Sequence, residues 1–256
     1  MHHKNDNNTY LYMKRIEICT NGYQSVINAQ ENGADCAELC ESLEVGGVTP
    51  SYGTLKKVAA DMTIPVRVLI RPRSGNYIYN DAELEMMCLD IELIKNLGYE
   101  GVVIGALNAD GDLDVEKIKA MMKAGEGMKF TFHRAIDACN DPLKALETLV
   151  ELGFDKVLTS GCKPKAADGI DMIRQMQEKF GDKIKIMAGG GVNLNNVMKI
   201  INETGVSNCH ASLTVDVDYY NQNLYPEKVD NTGAAMCWKV SSPTIIKEML
   251  NLVKNS

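Results

Sequence analysis

The stretches Ile16-Glu17-Ile18-Cys19 and Ala37-Glu38-Leu39-Cys40 each alternate a carboxylate and a thiol with apolar residues. Successive side chains of a strand point to opposite faces. Each stretch therefore reads as a strand with one apolar face and one face carrying an acid and a sulfur. Acids are rarely buried without partners. Two neighbouring strands that turn an acid and a thiol to the same side suggest a polar pocket. The competing reading takes the cysteines as small core residues and the acids as paired scaffold.

The same rhythm continues on both sides of these stretches. Strands are expected over 15–20, 36–42, 65–73, 101–107, 128–135, 156–162, 183–192 and 208–213, with amphipathic helices over 23–32, 54–61, 81–97, 115–123, 142–152, 166–180, 195–203 and 243–254. Asn80-Asp81, Asp141-Pro142 and Asn193 are good helix openers, and glycines 33, 98, 153, 181 and 205 follow helix ends. Eight strand–helix units in this length predict an α/β fold, a single-domain (β/α)8 TIM barrel over residues 15–256. A doubly wound open sheet would have fewer strands, with central ones apolar on both faces. Residues 1–14 read as an N-terminal extension or the remnant of a tag, with Met13 as an alternative start. The long connection 214–242 after strand eight exceeds the usual loop and is expected to act as a lid, a plug or an oligomer contact.

Composition narrows the function classes. The chain of 256 residues carries a formal net charge of -7 with 45% hydrophobic and 24% charged residues. That acidity disfavours a nucleic-acid partner, and no apolar run approaches the ~20 residues of a membrane-spanning helix. The N-terminal residues lack the apolar core of a secretion signal. Eight cysteines, at 19, 36, 40, 88, 139, 162, 209 and 237, are scattered without a CxxC pair. Such scatter in a chain of this size points to free thiols in a reducing cytoplasm rather than a disulfide framework.

In a barrel of this type the active site lies at the C-terminal strand ends. Those ends offer Glu17 and Cys19, Glu38 and Cys40, Arg71 and Arg73, Thr131 and His133, Ser160, Gly189 to Gly191, and His210 with Ser212. The arginines suit forked hydrogen bonds to an anion. The triple glycine allows a phosphate to approach the backbone, with a tight turn as its plainer reading. No Walker or dinucleotide fingerprint is present, so no nucleotide is expected. Asp110-Gly111-Asp112-Leu113-Asp114 resembles the start of a calcium loop, but Val115 and Met121 stand where that loop needs Gly and Glu.

These residues closely resemble the CutC family of copper homeostasis proteins. The matching stretches are IEIC at 16–19, NGADCAELCESLEVGGVTPSYG at 32–53, IRPRSGNYIY at 70–79, TFHRAIDACNDPLKALETL at 131–149, VLTSG at 157–161, AGGGV at 188–192 and HASL at 210–213. The resemblance implies a triosephosphate-isomerase-type barrel, a cytoplasmic location and a role in copper binding or trafficking, with Cys19 and Cys40 as thiol ligands of Cu(I). This chain departs from the family pattern at Ser74, Asn76 and Ile136, so an acid at position 76 is absent. A second reading is a barrel enzyme acting on a small anionic substrate. In it Glu17, Glu38, His133 and His210 are acid/base candidates, and Arg71, Arg73, Thr131, Ser160, Gly189, Gly190 and Ser212 contact the substrate. The partner in either case is a copper ion or a small molecule; a homo-oligomer is left open.

Overall fold

The computed structural model describes residues 14–217 and 238–255. Eight parallel strands close into a barrel in sequential order. They are β1 Arg15–Asn21, β2 Cys36–Cys40, β3 Val66–Leu69, β4 Gly101–Ile104, β5 Lys129–Phe132, β6 Lys156–Thr159, β7 Lys185–Gly189 and β8 Asn208–Ala211. The helices are α1 Tyr23–Glu31, α2 Tyr52–Asp61, α3 Asp81–Asn96, α4 Val115–Ala124, α5 Pro142–Glu151, α6 Ile170–Phe180, α7 Val197–Thr204 and α8 Pro243–Lys254. The expected (β/α)8 architecture is therefore the observed one.

Local chemistry explains the helix boundaries. Asn80 accepts from the Glu83 N–H at 2.9 Å while Glu83 returns a bond to the Asn80 N–H at 2.9 Å, a reciprocal capping box at the start of α3. Asp114 and Asp141 cap α4 and α5 in the same sense, and Pro142 fits the first helical position of α5. The apolar parity of each strand meets these helices. Ile16, Ile18, Leu39, Val68, Val102, Phe132, Val157 and Ile186 all join the large buried cluster between sheet and helices. The opposite parity fills the barrel.

Seven of the eight strands end earlier than expected, and for three of them the cause is local. β3 stops at Leu69 rather than at residue 73, because Pro72 has no N–H for a ladder and the Arg71 N–H donates to Thr49 Oγ1 at 2.8 Å. β5 gives way at His133 to a tight 3-10 turn, Arg134–Ala138. β6 ends at Thr159, where Asp137 draws the Ser160 and Cys162 N–H groups into a loop. The two ends of the 214–242 connection form an antiparallel ribbon, β9 Thr214–Val217 with β10 Trp238–Ser241. It is fastened to the barrel by Asn21 Nδ2 donating to Lys239 O and by the Ser241 N–H donating to Ser25 Oγ. The lid, plug or contact role expected of this connection concerns residues 218–237, which lie outside the described residues, as does the extension 1–13.

The lower half of the barrel interior is charged. Lys156 of β6 donates to Glu17 of β1 at 2.5 Å across the interior. Arg67 of β3 bonds Glu100 at 3.1 Å, Thr131 at 2.7 Å and Asp155 at 2.7 Å. Burial alone would raise the Glu17 pKa, but Lys156, His210 and Arg67 hold it below the usual carboxylate range. Burial opposes the Lys156 charge, and Glu17 overrides it to raise the lysine. The depressed acid stabilises the fold above its unfolded pKa and loses that contribution as pH falls through the folded value. The raised lysine contributes below its unfolded pKa and loses it as pH rises through the folded value. The pair therefore supports the fold fully between about pH 5 and pH 10. Lys156→Met leaves Glu17 buried and unpaired and should destabilise the protein by about 3–5 kcal/mol. Glu17→Leu combined with Lys156→Met should recover most of that loss. Urea melts of the two variants at pH 7 check the difference; equal destabilisation would mean that the pair is not the source.

Candidate functional site

The upper half of the interior opens into a cavity of about 320 Å³ at the C-terminal end of the strands. Its floor is built from the inward parity of β1, β2 and β8. Parallel pairing sets Glu17 beside His210, and Cys19 beside Glu38. One residue pair further up this staircase, Cys19 Sγ and Cys40 Sγ lie 4.0 Å apart. Both are buried against Leu69 and Val103. Glu38 Oε2 and His210 Nε2 are 2.6 Å apart, both in the interior. Ligand atoms from Cys19, Glu38 and Cys40 all lie within 4.8 Å of one another, which makes them a candidate metal-binding group.

The electrostatics of this group set the two thiols apart. The Cys40 hydrogen bond, opposed by burial and aided by His210, lowers the Cys19 thiol. The same bond and burial push Cys40 well above its ordinary value. Burial works against charge on His210, yet the Cys19 sulfur and the Glu38 carboxylate hold it protonated. The group is thus a pair of thiols of unequal acidity, Cys19 the more acidic, beside His210 and Glu38. By contrast Cys36 and Cys209 are pushed up to about 12, mainly by burial.

The cavity is also lined by Arg71, Tyr77 and His133, with Arg134, Gly190, Gly191 and Ser212 at the rim. Arg71 packs 5.4 Å from the Tyr77 ring centre, and Tyr77 lies 4.8 Å from the His133 ring. Gly105 makes room for His133, since a Cβ there would overlap the imidazole. Gly190 turns the chain after β7 with φ of 101°, a conformation that suits glycine.

Of the residues expected at the mouth, Cys19, Cys40, Glu38, Arg71, His133, His210, Gly190 and Ser212 line this cavity. Others lie elsewhere, and each departure has a physical reason. Glu17 sits one layer below, held down by Lys156. Thr131 is in the same lower layer as a partner of Arg67. Arg73 does not share a face with Arg71: the chain has left the strand at Pro72, and its guanidinium pairs with Glu83 of α3 at 2.5 Å on the outside. Ser160 is buried beside the cavity, where it donates to Asp137 at 2.8 Å and accepts from Arg134 at 2.7 Å. Gly189 lies under the rim as the register partner of His210.

Lys156, Arg67, Tyr77 and Arg134 are interior or rim residues that the strand-end reading did not single out. Lys156 and Arg67 were visible in principle, since each interrupts an apolar run on the inward parity and Glu17 needs a counter-charge. Tyr77 comes from the loop after β3, and no periodicity in the sequence places a loop residue over a barrel mouth.

Comparison with known proteins agrees with this architecture. The model of the CutC family matches residues 14–215. A CutC family protein of Pasteurella multocida is 44% identical over 198 residues, which is 77% of this chain and 81% of that protein. The human protein named copper homeostasis protein cutC homolog is 43% identical over 197 residues, 77% of this chain and 72% of the human one. A crystal structure of a protein from Streptococcus agalactiae, also named for copper homeostasis and CutC, superposes with a TM-score of 0.74 at 35% identity and covers 78% of this chain and 99% of that one. With a family match over most of its length and relatives above 40% identity, the chain belongs to the CutC family.

Proposed function

We propose that the protein binds Cu(I) as cargo through Cys19 and Cys40, with Glu38 as the nearest third donor. The observation that carries this reading is the sulfur separation. Two metal–sulfur bonds of about 2.3 Å span 4.0 Å when the angle at the ion is about 120°. That is the angle of a three-coordinate ion, and the donors gathered there number three. Two thiolates select a soft ion. A structural zinc site would need a fourth donor, and calcium or magnesium would need a shell of oxygens. The Cys19 thiol is the more acidic of the two, and the ion displaces the proton that Cys40 carries. The names of the human and streptococcal relatives, which refer to copper homeostasis, support the same reading. So does the state of the cysteines. The cysteines among the described residues are free thiols, and Cu(I) and thiols persist together in a reducing cytoplasm. Among the described residues no helix is long and apolar enough to cross a membrane.

Cargo binding is favoured over turnover by the state of the acid/base candidates. His133 is pushed down to about 3 by burial and the neighbouring Arg71 charge, so it takes up no proton near neutrality. Glu38 is engaged by His210 at 2.6 Å. Glu17 is closed off by Lys156.

Anaerobic titration against a competing Cu(I) chelator should give one ion per chain. Cys19→Ser with Cys40→Ser should weaken binding by more than roughly a hundredfold, beyond the 10–100-fold that losing an outer partner costs. Cys36→Ser should leave affinity unchanged, because Cys36 turns to Glu17 in the layer below. An unaltered affinity in the double variant removes copper from these residues. A second expectation concerns the apo protein. Iodoacetamide at pH 7 should label Cys19 ahead of Cys209 and Cys36, and His210→Gln should slow the Cys19 reaction severalfold by raising its pKa. Mass spectrometry of the labelled peptides reads both effects.

A further inference from the structure

Two residues that line the same cavity, Arg71 and His133, carry hydrogen-bond donors that the copper reading does not use. Arg71 is 5% exposed. Its Nη1 donates to Val45 O at 3.0 Å and Gly47 O at 2.7 Å, and its Nη2 to Gly75 O at 2.9 Å. All three acceptors are neutral carbonyls. Nε has no acceptor. Among the described residues no carboxylate pairs with Arg71, whereas the buried cations Arg67 and Lys156 have two and one. A guanidinium keeps its charge throughout the accessible pH range, and a buried charge without a counter-ion is costly. The geometry of the loops after β2 and β3 nevertheless holds it at the cavity.

His133, also 5% exposed, stands beside it. Its Nδ1 accepts the Ala135 N–H at 3.1 Å, so Nδ1 carries no proton. In the neutral ring the proton is then on Nε2. The ring is neutral across the physiological range, for burial and Arg71 both oppose its protonation. Nε2–H is a buried donor with no acceptor. Two donors without lone pairs repel a metal ion, so this pair is complementary to an oxygen anion and not to a second cation.

We propose that Arg71 and His133 form a binding site for a small organic oxyanion. Arg71 takes the charged carboxylate or phosphate, and Nε2–H of His133 donates to a carbonyl or hydroxyl oxygen on the adjacent carbon. The cavity of about 320 Å³ admits a compact molecule of this kind. Tyr77 lies against both, 5.4 Å from Arg71 Cζ and, in a tilted arrangement, 4.8 Å from the His133 ring centre.

The test uses the full chain without copper, so the fate of the copper reading does not affect it. Calorimetric titrations compare acetate with glycolate and pyruvate, and inorganic phosphate with glycerol 3-phosphate. The ligand bearing the adjacent oxygen should bind about tenfold tighter than its simple counterpart in the carboxylate or the phosphate arm, which identifies the charged group. Nitrogen-15 spectra of histidine-labelled protein should show His133 as the neutral Nε2–H form and should show its Nε2 resonance move on binding. Arg71→Gln should weaken binding about tenfold or more, and Arg174→Gln, on the outer surface, should not. Equal affinity within both arms, an unmoved Nε2 resonance, or no binding at tens of millimolar, with water alone serving the two donors, would each overturn the proposal. Should Arg71→Gln fail to fold, the spectra of the unaltered protein decide.

Discussion

The interior of an eight-stranded barrel is just wide enough for its side chains to fill. Every inward residue must therefore either pack against carbon or find a polar partner within reach, because a lone buried charge is penalised heavily. This constraint sorts the inward positions of the present chain. Glu17 meets Lys156, and Arg67 meets Asp155 and Glu100, and together they form a charged floor. Glu38 meets His210 one level higher. Leu69 and Val103 pack directly against the two cysteine sulfurs. What is left after these pairings is the chemistry of the cavity. There are two sulfurs of unequal acidity, and there are a guanidinium Nε and an imidazole Nε2 that have no acceptor.

The separation between these two sets has an electrostatic logic. The Glu38 carboxylate and the Cys19 sulfur make their part of the lining attractive to a cation, with His210 moderating the negative charge. Arg71, which follows the neighbouring strand β3, makes its part of the lining attractive to an anion. A cavity polarised in this way can hold a metal and an oxyanion at once, each screening the other's field in a space where water does little screening. Arg71 is anchored through Thr49 and the carbonyls of Val45, Gly47 and Gly75, and Gly47 in turn packs against Cys40.

Much of this was legible in the sequence, and the limits have identifiable causes. The two-residue period in 16–19 and 37–40 correctly placed Glu17, Cys19, Glu38 and Cys40 inside, and the recurrence of strand and helix patterns gave the closed eight-fold architecture. Parity alone could not assign height within the barrel, which depends on the stagger between strands. That is why Glu17 was expected at the mouth and lies in the floor. Parity also ceases to apply where a strand stops. Pro72 ends the ladder and sends Arg73 to Glu83 of α3, and the early end of β6 turns Ser160 toward Asp137. The counter-charges Lys156 and Arg67 were discoverable, since an inward acid demands them. The Nδ1 bond from Ala135 that sets the His133 tautomer was not, because it arises from a 3-10 turn of five residues whose geometry has no periodic signature.

The Glu17–Lys156 bridge also constrains the order in which the molecule can assemble. Its two ends are 139 residues apart in the chain, so closing it joins the first strand to the sixth. During synthesis β1 emerges long before β6, and an N-terminal fragment that stops short of Lys156 would have to enclose Glu17 without its hydrogen-bonded partner to close any core around β1. Half-barrels cut from this chain are therefore poor candidates for autonomous folding units. Commitment to the native topology comes with the docking of β6, a long-range contact of the sort that slows folding and that makes the whole barrel, rather than either half, the cooperative unit.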